Sequence, residues 1–419
     1  MATTDRAVAE ELDRADPLAA YRERFLAPEP GLVYLDGNSL GRLPATTAGR
    51  LAEAVTEQWG RGLIRSWEHW IELSQSIGDE IAAGVLEAEP GEVIVSDSTT
   101  VNLYKLAAAA LDARPDRRVL LTDDDNFPSD SYVFQGLAAA RGLELRVIET
   151  DLDEGLSAAA VRAALDEDVA LASFSHVAYR SGAIADLVDI TGAAHDVGAL
   201  TLWDLSHSGG SIPVPLRSAG ADLAVGCTYK YLCGGPGAPA YLYVRRDLQA
   251  QMRQPIWGWF GQRDQFGMVG RYDAAPGLTR FLVGTPPVLS MIGVREGVRV
   301  VAEAGIEALR AKGQALTSYL IDLADAWLTP LGFRLASPRD ACRRGSHVTL
   351  HHPDAWRICR ALIERYDVVP DFRTPDRLRL GPAPLTTSYA DVWEGLDRLR
   401  RLIESGAHES YPTQRSRVT

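Results

Sequence analysis

Lysine is almost absent from this 419-residue chain: of 43 basic side chains only Lys105, Lys230 and Lys312 are lysine, and the rest are arginine. Against them stand 56 acidic residues, a formal net charge of -13. That balance excludes a reader of nucleic-acid backbones, which needs clustered Lys and Arg. Cysteine is equally scarce. Cys227, Cys233, Cys342 and Cys359 are too few and too scattered for a disulfide framework, and the Cys227/Cys233 pair lacks further ligands for zinc. No metal site is expected, and a reducing cytoplasm fits. No run of about twenty apolar residues occurs. The opening MATTDRAVAEELDRADPLAAYRERF is acidic, with no basic n-region and no apolar core, so neither membrane insertion nor secretion is expected. Small molecules and other copies of the chain remain as partners.

What is present is ample core material, 46% apolar, in a clear order. Residues 1–44 read as a surface helix (Arg6 to Phe25) followed by a short strand and the Asp36-Gly37-Asn38-Ser39 run, expected as a surface turn. From Glu92 onward seven β-type runs alternate with helical ones: EVIVS, RVLLTD, ELRVIET, VALASF, ALTLWD, DLAVG and AYLYV. Near-continuous apolar strands separated by helices predict an α/β fold with a mostly parallel seven-stranded sheet covered on both faces. AYLYV follows its neighbour too closely for a helical crossover and is expected to be antiparallel. Residues 45–290 form this large domain. Residues 291–419 read as a small C-terminal α+β domain.

The residues that invite chemistry sit where strands end. Asp204 closes ALTLWD and the Tyr229-Lys230 pair follows DLAVG, and ligands of open α/β sheets bind at the carboxyl ends of strands. An acid that keeps a pyridine nitrogen protonated, beside an amine able to form a Schiff base, describes a pocket for pyridoxal phosphate (PLP). Arginine cannot deprotonate to serve as that amine, so a lysine in an arginine-preferring chain is a pointed choice. Tyr229 offers a phenol for the phosphate or for proton transfer, and His207 can orient Asp204 or touch the phosphate. In SDSTTVNLYK, Thr99 and Thr100 at a helix start either bind phosphate or simply cap the helix. In NFPSDSY, Phe127 either stacks on a flat ring, with Ser129 and Asp130 at its edge, or is a buried turn residue. Trp67 and Trp70 in WGRGLIRSWEHW are core anchors or an aromatic wall. In RLRLGPAP an arginine can clamp a carboxylate, but strand alternation puts Arg377 and Arg379 on one face and does not choose between them.

Taken in order, YLDGNSLG, TTVNLYK, NFPSD, SHVAYRSG, WDLSHSGG, GCTYKYLCGGPG, WGWFG, FLVGTPP and LRLGPAPLTTSY resemble the kynureninases, PLP-dependent enzymes of the aspartate aminotransferase fold (fold type I). The resemblance implies Lys230 as the Schiff-base lysine, Asp204 and His207 near the pyridine ring, and Tyr229, Thr99 and Thr100 at the phosphate. It implies Phe127 on the ring face, Ser129, Asp130 and Ser175 at its polar edge, and Trp259 with Thr285 reaching in from the second subunit of a homodimer. Arg379 falls on the substrate carboxylate, and Asn38 and Trp67 fall on the substrate side. The implied reaction is hydrolysis of L-kynurenine or 3-hydroxy-L-kynurenine at the Cβ-Cγ bond, giving L-alanine and anthranilate or 3-hydroxyanthranilate. Ala178 departs from the Asn often found in SHVAYRSG. Two other readings stand beside this one: a class V aminotransferase or cysteine desulfurase, for which Cys342 is the tempting thiol, and a non-catalytic PLP-binding sensor, for which a basic DNA-binding helix is missing.

Overall fold

The computed structural model describes residues 3–414. The N-terminal segment carries α1 (Arg6–Ala15) and β1 (Val33–Tyr34). The expected helix to Phe25 stops at Ala15, because Pro17 cannot continue the ladder; only a 3-10 stretch, Ala19–Arg24, follows. Helices α2 (Ala45–Glu53), α3 (Trp67–Trp70) and α4 (Leu73–Gly84) lead to the main sheet, α2 passing into a π-type segment over Ala54–Gly62.

Seven strands build that sheet: β2 (Val93–Val95), β3 (Val119–Asp123), β4 (Glu144–Ile148), β5 (Val169–Ser175), β6 (Leu200–Asp204), β7 (Leu223–Gly226) and β8 (Tyr241–Val244). Their order is β2-β8-β7-β6-β5-β3-β4, and β8 runs antiparallel to both neighbours while the rest are parallel. The seven runs read from the sequence are these seven strands. The cause is burial on both faces. Successive residues of the inner strands alternate between two cores, Val93, Val119, Leu121 and Trp203 entering one and Ile94, Leu120, Leu200 and Leu202 the other, so these strands are mostly apolar, whereas the edge strand β4 leaves Glu144 exposed. Five helices fill the connections: α5 (Thr99–Asp112), α6 (Pro128–Arg141), α7 (Ala158–Ala164), α8 (Leu187–Asp196) and α9 (Leu216–Ala219). In α5 the run Ala107 to Ala110 is fully buried; small side chains let the helix lie close on the strands.

Helix α10 (Val288–Ala304) packs back on α4, burying Met291, Val294 and Val298 in the sheet core. Helix α11 (Ile306–Trp327) crosses to a second core, which holds β9 (Arg334–Leu335), β10 (Val348–His351), α12 (Ala355–Arg365), β11 (Val368–Val369), β12 (Asp371–Arg373), β13 (Arg377–Leu380) and α13 (Tyr389–Ser405). Four of the strands form an antiparallel sheet in the order β12-β13-β10-β9. A capping box between Ser388 and Asp391 starts α13, and left-handed Gly406 ends it. The N-terminal segment is shared between the cores: β1 pairs in parallel with β11 and Ala9, Val33 and Leu35 are buried in the second core, while Leu18 and Phe25 are buried in the sheet core. Among the described residues no helix is long and apolar enough to cross a membrane.

Candidate active site

Parallel pairing sets the floor of the site. Ser175 and Asp204 are register partners at the carboxyl ends of β5 and β6, and Asp204 pairs in turn with Val225 of β7. Above these ends lies a cavity of about 220 Å³. Thr99, Thr100, Phe127, Ser129, Asp130, Ser175, Asp204, His207, Tyr229 and Lys230 all line it. These ten positions, spread over 132 residues of chain, are drawn together by the strand order alone.

Each is held by its own local chemistry. Lys230 leaves β7 through a loop that Thr228 pins to the Pro239 carbonyl at 2.7 Å. Its Nζ lies 2.9 Å from His207 Nε2, to which the ammonium donates. Burial lowers the Lys230 amine from its ordinary range; Arg379 and Arg373 push the same way, and the charge of Asp204 opposes them. Asp204 Oδ1 accepts from the Ser206 N-H at 2.8 Å and the Ser206 hydroxyl at 2.6 Å, while burial raises the carboxyl. Asn126 organises the ring wall: its Oδ1 accepts from the Phe127 N-H at 2.8 Å and from Ser175 Oγ at 2.9 Å. Phe127 then faces the cavity, its ring centroid 5.8 Å from Lys230 Nζ and 5.3 Å edge-on from Tyr179. At the other end Ser98 caps α5 by accepting from Val101 N-H, so the 14-residue helix presents its first turn, Thr99 and Thr100, to the cavity.

This arrangement fits PLP. Asp130 Oδ2 and His207 Nδ1 are buried among the described residues with no partner, as polar atoms awaiting a ligand are. Burial and the neighbouring Asp204 charge raise Asp130 well above the usual carboxylate range. Two buried carboxyls facing one another gain from a protonated ring nitrogen. The helix start is suited to a phosphate, Phe127 to a ring face, and the depressed Lys230 amine to an aldehyde.

A second cluster adjoins the first. Arg379, itself fully buried on β13, donates to the Tyr179 carbonyl at 2.7 Å and Ser39 Oγ at 2.7 Å, and pairs with Asp371 at 2.5 Å. With its amide oxygen turned to the guanidinium, Asn38 accepts from Arg379 Nε at 2.9 Å. Asp36, 3.8 Å from the same arginine, is pushed up to about 6, by burial first and by Asp371 second. The Asp36-Gly37-Asn38-Ser39 run is thus not a surface turn: Asn38 is 0% exposed. Arg377, on the same face of β13, pairs instead with Asp153 at 2.8 Å and with Asp376. Gly381 makes the cluster possible, since a Cβ there would sit 1.8 Å from the end of the Asn38 side-chain amide. Gly381→Ala is therefore expected to lower unfolding free energy by about 1–3 kcal/mol and to raise KM by displacing Asn38 from Arg379; calorimetry and steady-state kinetics on the same sample check both.

The remaining expected residues do not reach the cavity within one chain. Trp67 packs on Trp70 and Phe260, at 5.7 and 6.0 Å between ring centroids, as a core anchor. Trp259 and Thr285 are exposed. Asn38 and Arg379 meet each other rather than line the cavity. Conversely, Ser98, Tyr179, Ser206, Gly237 and Ala238 line it unannounced, although each stands inside or beside a quoted motif. His347, whose ring is 5.3 Å from that of His207, was not signalled by anything local in RRGSHVTL.

Fold and site together define a fold type I enzyme of the pyridoxal-phosphate class. Solved structures of that shape include the cystine C-S lyase C-DES in complex with cysteine persulfide (TM-score 0.77, 19% identity, covering 88% of this chain and 98% of the other) and the cysteine desulfurase of Thermococcus onnurineus NA1 (TM-score 0.76, 19% identity, 94% and 98%). At such identities the likeness is one of fold. The sequence is more specific. It is 40% identical over 401 residues to the kynureninase of Pseudomonas fluorescens (94% of each chain) and 42% identical over 415 residues to that of Burkholderia pseudomallei strain K96243 (97% of each), and residues 309–399 match the kynureninase C-terminal domain. The chain belongs to the kynureninase family.

Proposed function

We propose that this protein is a PLP-dependent hydrolase that cleaves the Cβ-Cγ bond of L-kynurenine or its 3-hydroxy derivative, releasing L-alanine and the corresponding anthranilate. The observation that carries the reading is a buried, depressed Lys230 amine in one cavity with Asp204, Asp130, Phe127 and the α5 start, in a chain of this family. PLP, when bound, supplies an electron sink conjugated to the substrate amine. Lys230 would hold it through its ε-amine and would be the base for the proton on the substrate Cα. Asp204 would keep a proton on the ring nitrogen, Thr99 and Thr100 would hold the phosphate, and Phe127 would cover the ring. Burial keeps the Tyr229 phenol protonated well above its ordinary range, which suits it to donate a proton to the departing Cβ. Arg379, which adjoins the cavity through the Tyr179 carbonyl, would receive the substrate carboxylate in exchange for its contact with Ser39 or Asp371. The sequence, 40% identical over 401 residues to a kynureninase but only 19% identical to the cysteine desulfurase of the same fold, favours the hydrolase over the desulfurase alternative. The test is anthranilate fluorescence after adding PLP and L-kynurenine. PLP uptake with no aryl product from either kynurenine would refute it.

The working form is a homodimer with shared sites, in the cytoplasm. The 256–269 loop presents Trp257, Phe266 and Met268, at 66, 69 and 73% exposure, beside Trp259. So much clustered apolar surface calls for a cover, and Trp259 and Thr285, exposed and outside the cavity of their own chain, would enter a partner's site. Sedimentation at micromolar concentration is expected to give twice the 45.5 kDa chain mass, and Trp259→Ala to weaken PLP binding; a monomer that turns over normally would refute the shared site. As for the domains, the expected division near residue 291 lies inside α10, whose buried face belongs to the sheet core, so we place the small domain from α11 onward together with α1 and β1.

A further inference from the structure

Of the three lysines, only Lys230 has a part in the reading above, yet Lys105 is just as deeply placed: it is 0% exposed, on α5 two turns into the helix that faces the cavity. Its Nζ donates to three acceptors from two segments. They are Ser96 Oγ at 3.0 Å, Asp97 Oδ2 at 2.7 Å and the Phe281 carbonyl at 2.8 Å. All three protons of the ammonium are used.

What these bonds hold is the turn directly before Ser98, Thr99 and Thr100. Asp97 has φ 45°, a left-handed conformation that a non-glycine residue adopts only when its surroundings enforce it. Two restraints enforce it here. The Asp97 carbonyl accepts from the Ala240 N-H at 2.7 Å, and its carboxylate is gripped by Lys105 and by the Ser96 hydroxyl at 2.6 Å. Ala240 stands two residues beyond Ala238, itself in the cavity lining. The Phe281 carbonyl adds the segment that runs on to Thr285. That segment is packed hard against the Trp259 loop, where a Cβ on Gly258 would sit 1.8 Å from the Val283 carbonyl.

We propose that Lys105 is a positioning residue for the cofactor phosphate: by clamping Asp97 in its left-handed turn it aims the first N-H groups and hydroxyls of α5 into the cavity. It touches neither substrate nor reacting atoms. Removing it lets Asp97 relax, and the α5 start loses its alignment while the ring wall, built by Asn126, Phe127 and Ser175 on other elements, keeps its own.

The inference rests on the PLP reading of the site, and its test separates the two. Native chain, Lys105→Met and Asp97→Asn are titrated with PLP and with pyridoxal, which has the same aldehyde and ring but no phosphate. For Lys105→Met the PLP dissociation constant is expected to rise about tenfold, the scale of one lost charge-assisted contact, with pyridoxal binding unchanged and kcat near native at saturating PLP. An equal loss for both compounds, or no loss for either, overturns the proposal by making Lys105 a fold anchor only. If Lys105→Met does not fold, Asp97→Asn decides, because asparagine tolerates the left-handed turn but lacks the charge; a smaller loss confined to PLP supports the role, and unaltered PLP affinity overturns it. A native chain that binds neither compound overturns the cofactor reading and this role with it.

Discussion

Replacing Lys230 with alanine is expected to lower turnover of L-kynurenine by about 1,000-fold or more, since one side chain supplies both the covalent hold on the cofactor and the proton transfer at the substrate Cα. The fold should survive the change. Lys230 makes one side-chain hydrogen bond, to His207, and alanine there leaves a neutral imidazole rather than an orphaned charge. The scarcity of lysine makes the accompanying label experiment unusually clean. Lys105, Lys230 and Lys312 are all buried, at 0, 9 and 4% exposure, and Lys105 and Lys312 are engaged with Asp97 and Asp16. Borohydride reduction of the PLP-loaded protein should therefore fix a single ε-amine label per chain, mapped by peptide mass spectrometry to Lys230, and none in the alanine variant. A label on another lysine would remove the basis of the site. The pH dependence follows from the same amine. Only the neutral form attacks an aldehyde, and burial lowers the Lys230 pKa, so the rate of PLP uptake should rise with pH and level off below the range of an ordinary lysine. Stopped-flow absorbance across pH 6 to about 10, the upper end being where free lysine titrates, checks this.

The second large effect is at Arg379. Arg379→Leu leaves the Asn38 amide oxygen and the Ser39 hydroxyl facing a buried gap and Asp371 with Arg373 as its remaining partner at 2.6 Å, and buried polar groups left unpaired typically destabilise by about 1–3 kcal/mol. A fall in melting temperature is expected together with a KM increase of about 100-fold or more, the scale of a lost bidentate carboxylate clamp. Arg379→Lys divides the two effects. It keeps the positive charge beside Asp371 and so most of the stability, but a single ammonium cannot contact Tyr179, Ser39, Asn38 and a carboxylate at once. Its KM should stay high while its melting temperature largely recovers. Native KM in Arg379→Lys would sink the carboxylate role. The Asp36 carboxyl, pushed up to about 6 beside this arginine, should lie lower in the native protein than in Arg379→Leu, because the guanidinium favours its charged form.

Much of this could be read from the order of residues because burial leaves a local trace. The seven strands are legible since the inner ones are covered on both faces and are mostly apolar; Asp204 and Lys230 are legible since a charge directly after such a run has few structural uses. Ser98 and Pro128 mark helix starts by chemistry that acts within a few residues. Periodicity also placed Arg377 and Arg379 on one face, and there its information stopped.

The residue order by itself determined a doubly covered sheet, the ends of its strands and the residue types waiting there. Which arginine meets Asn38 and Ser39, that the Asp-Gly-Asn-Ser run is buried, and that Lys105 reaches the Phe281 carbonyl were decided by the tertiary structure. Ser39 and Arg379 lie 340 positions apart, and Lys105 and Phe281 lie 176 apart. Side-chain periodicity reports only whether a position faces the inside. Which partner it meets there depends on strand order, register and the packing of the second core, and no short stretch of chain carries those.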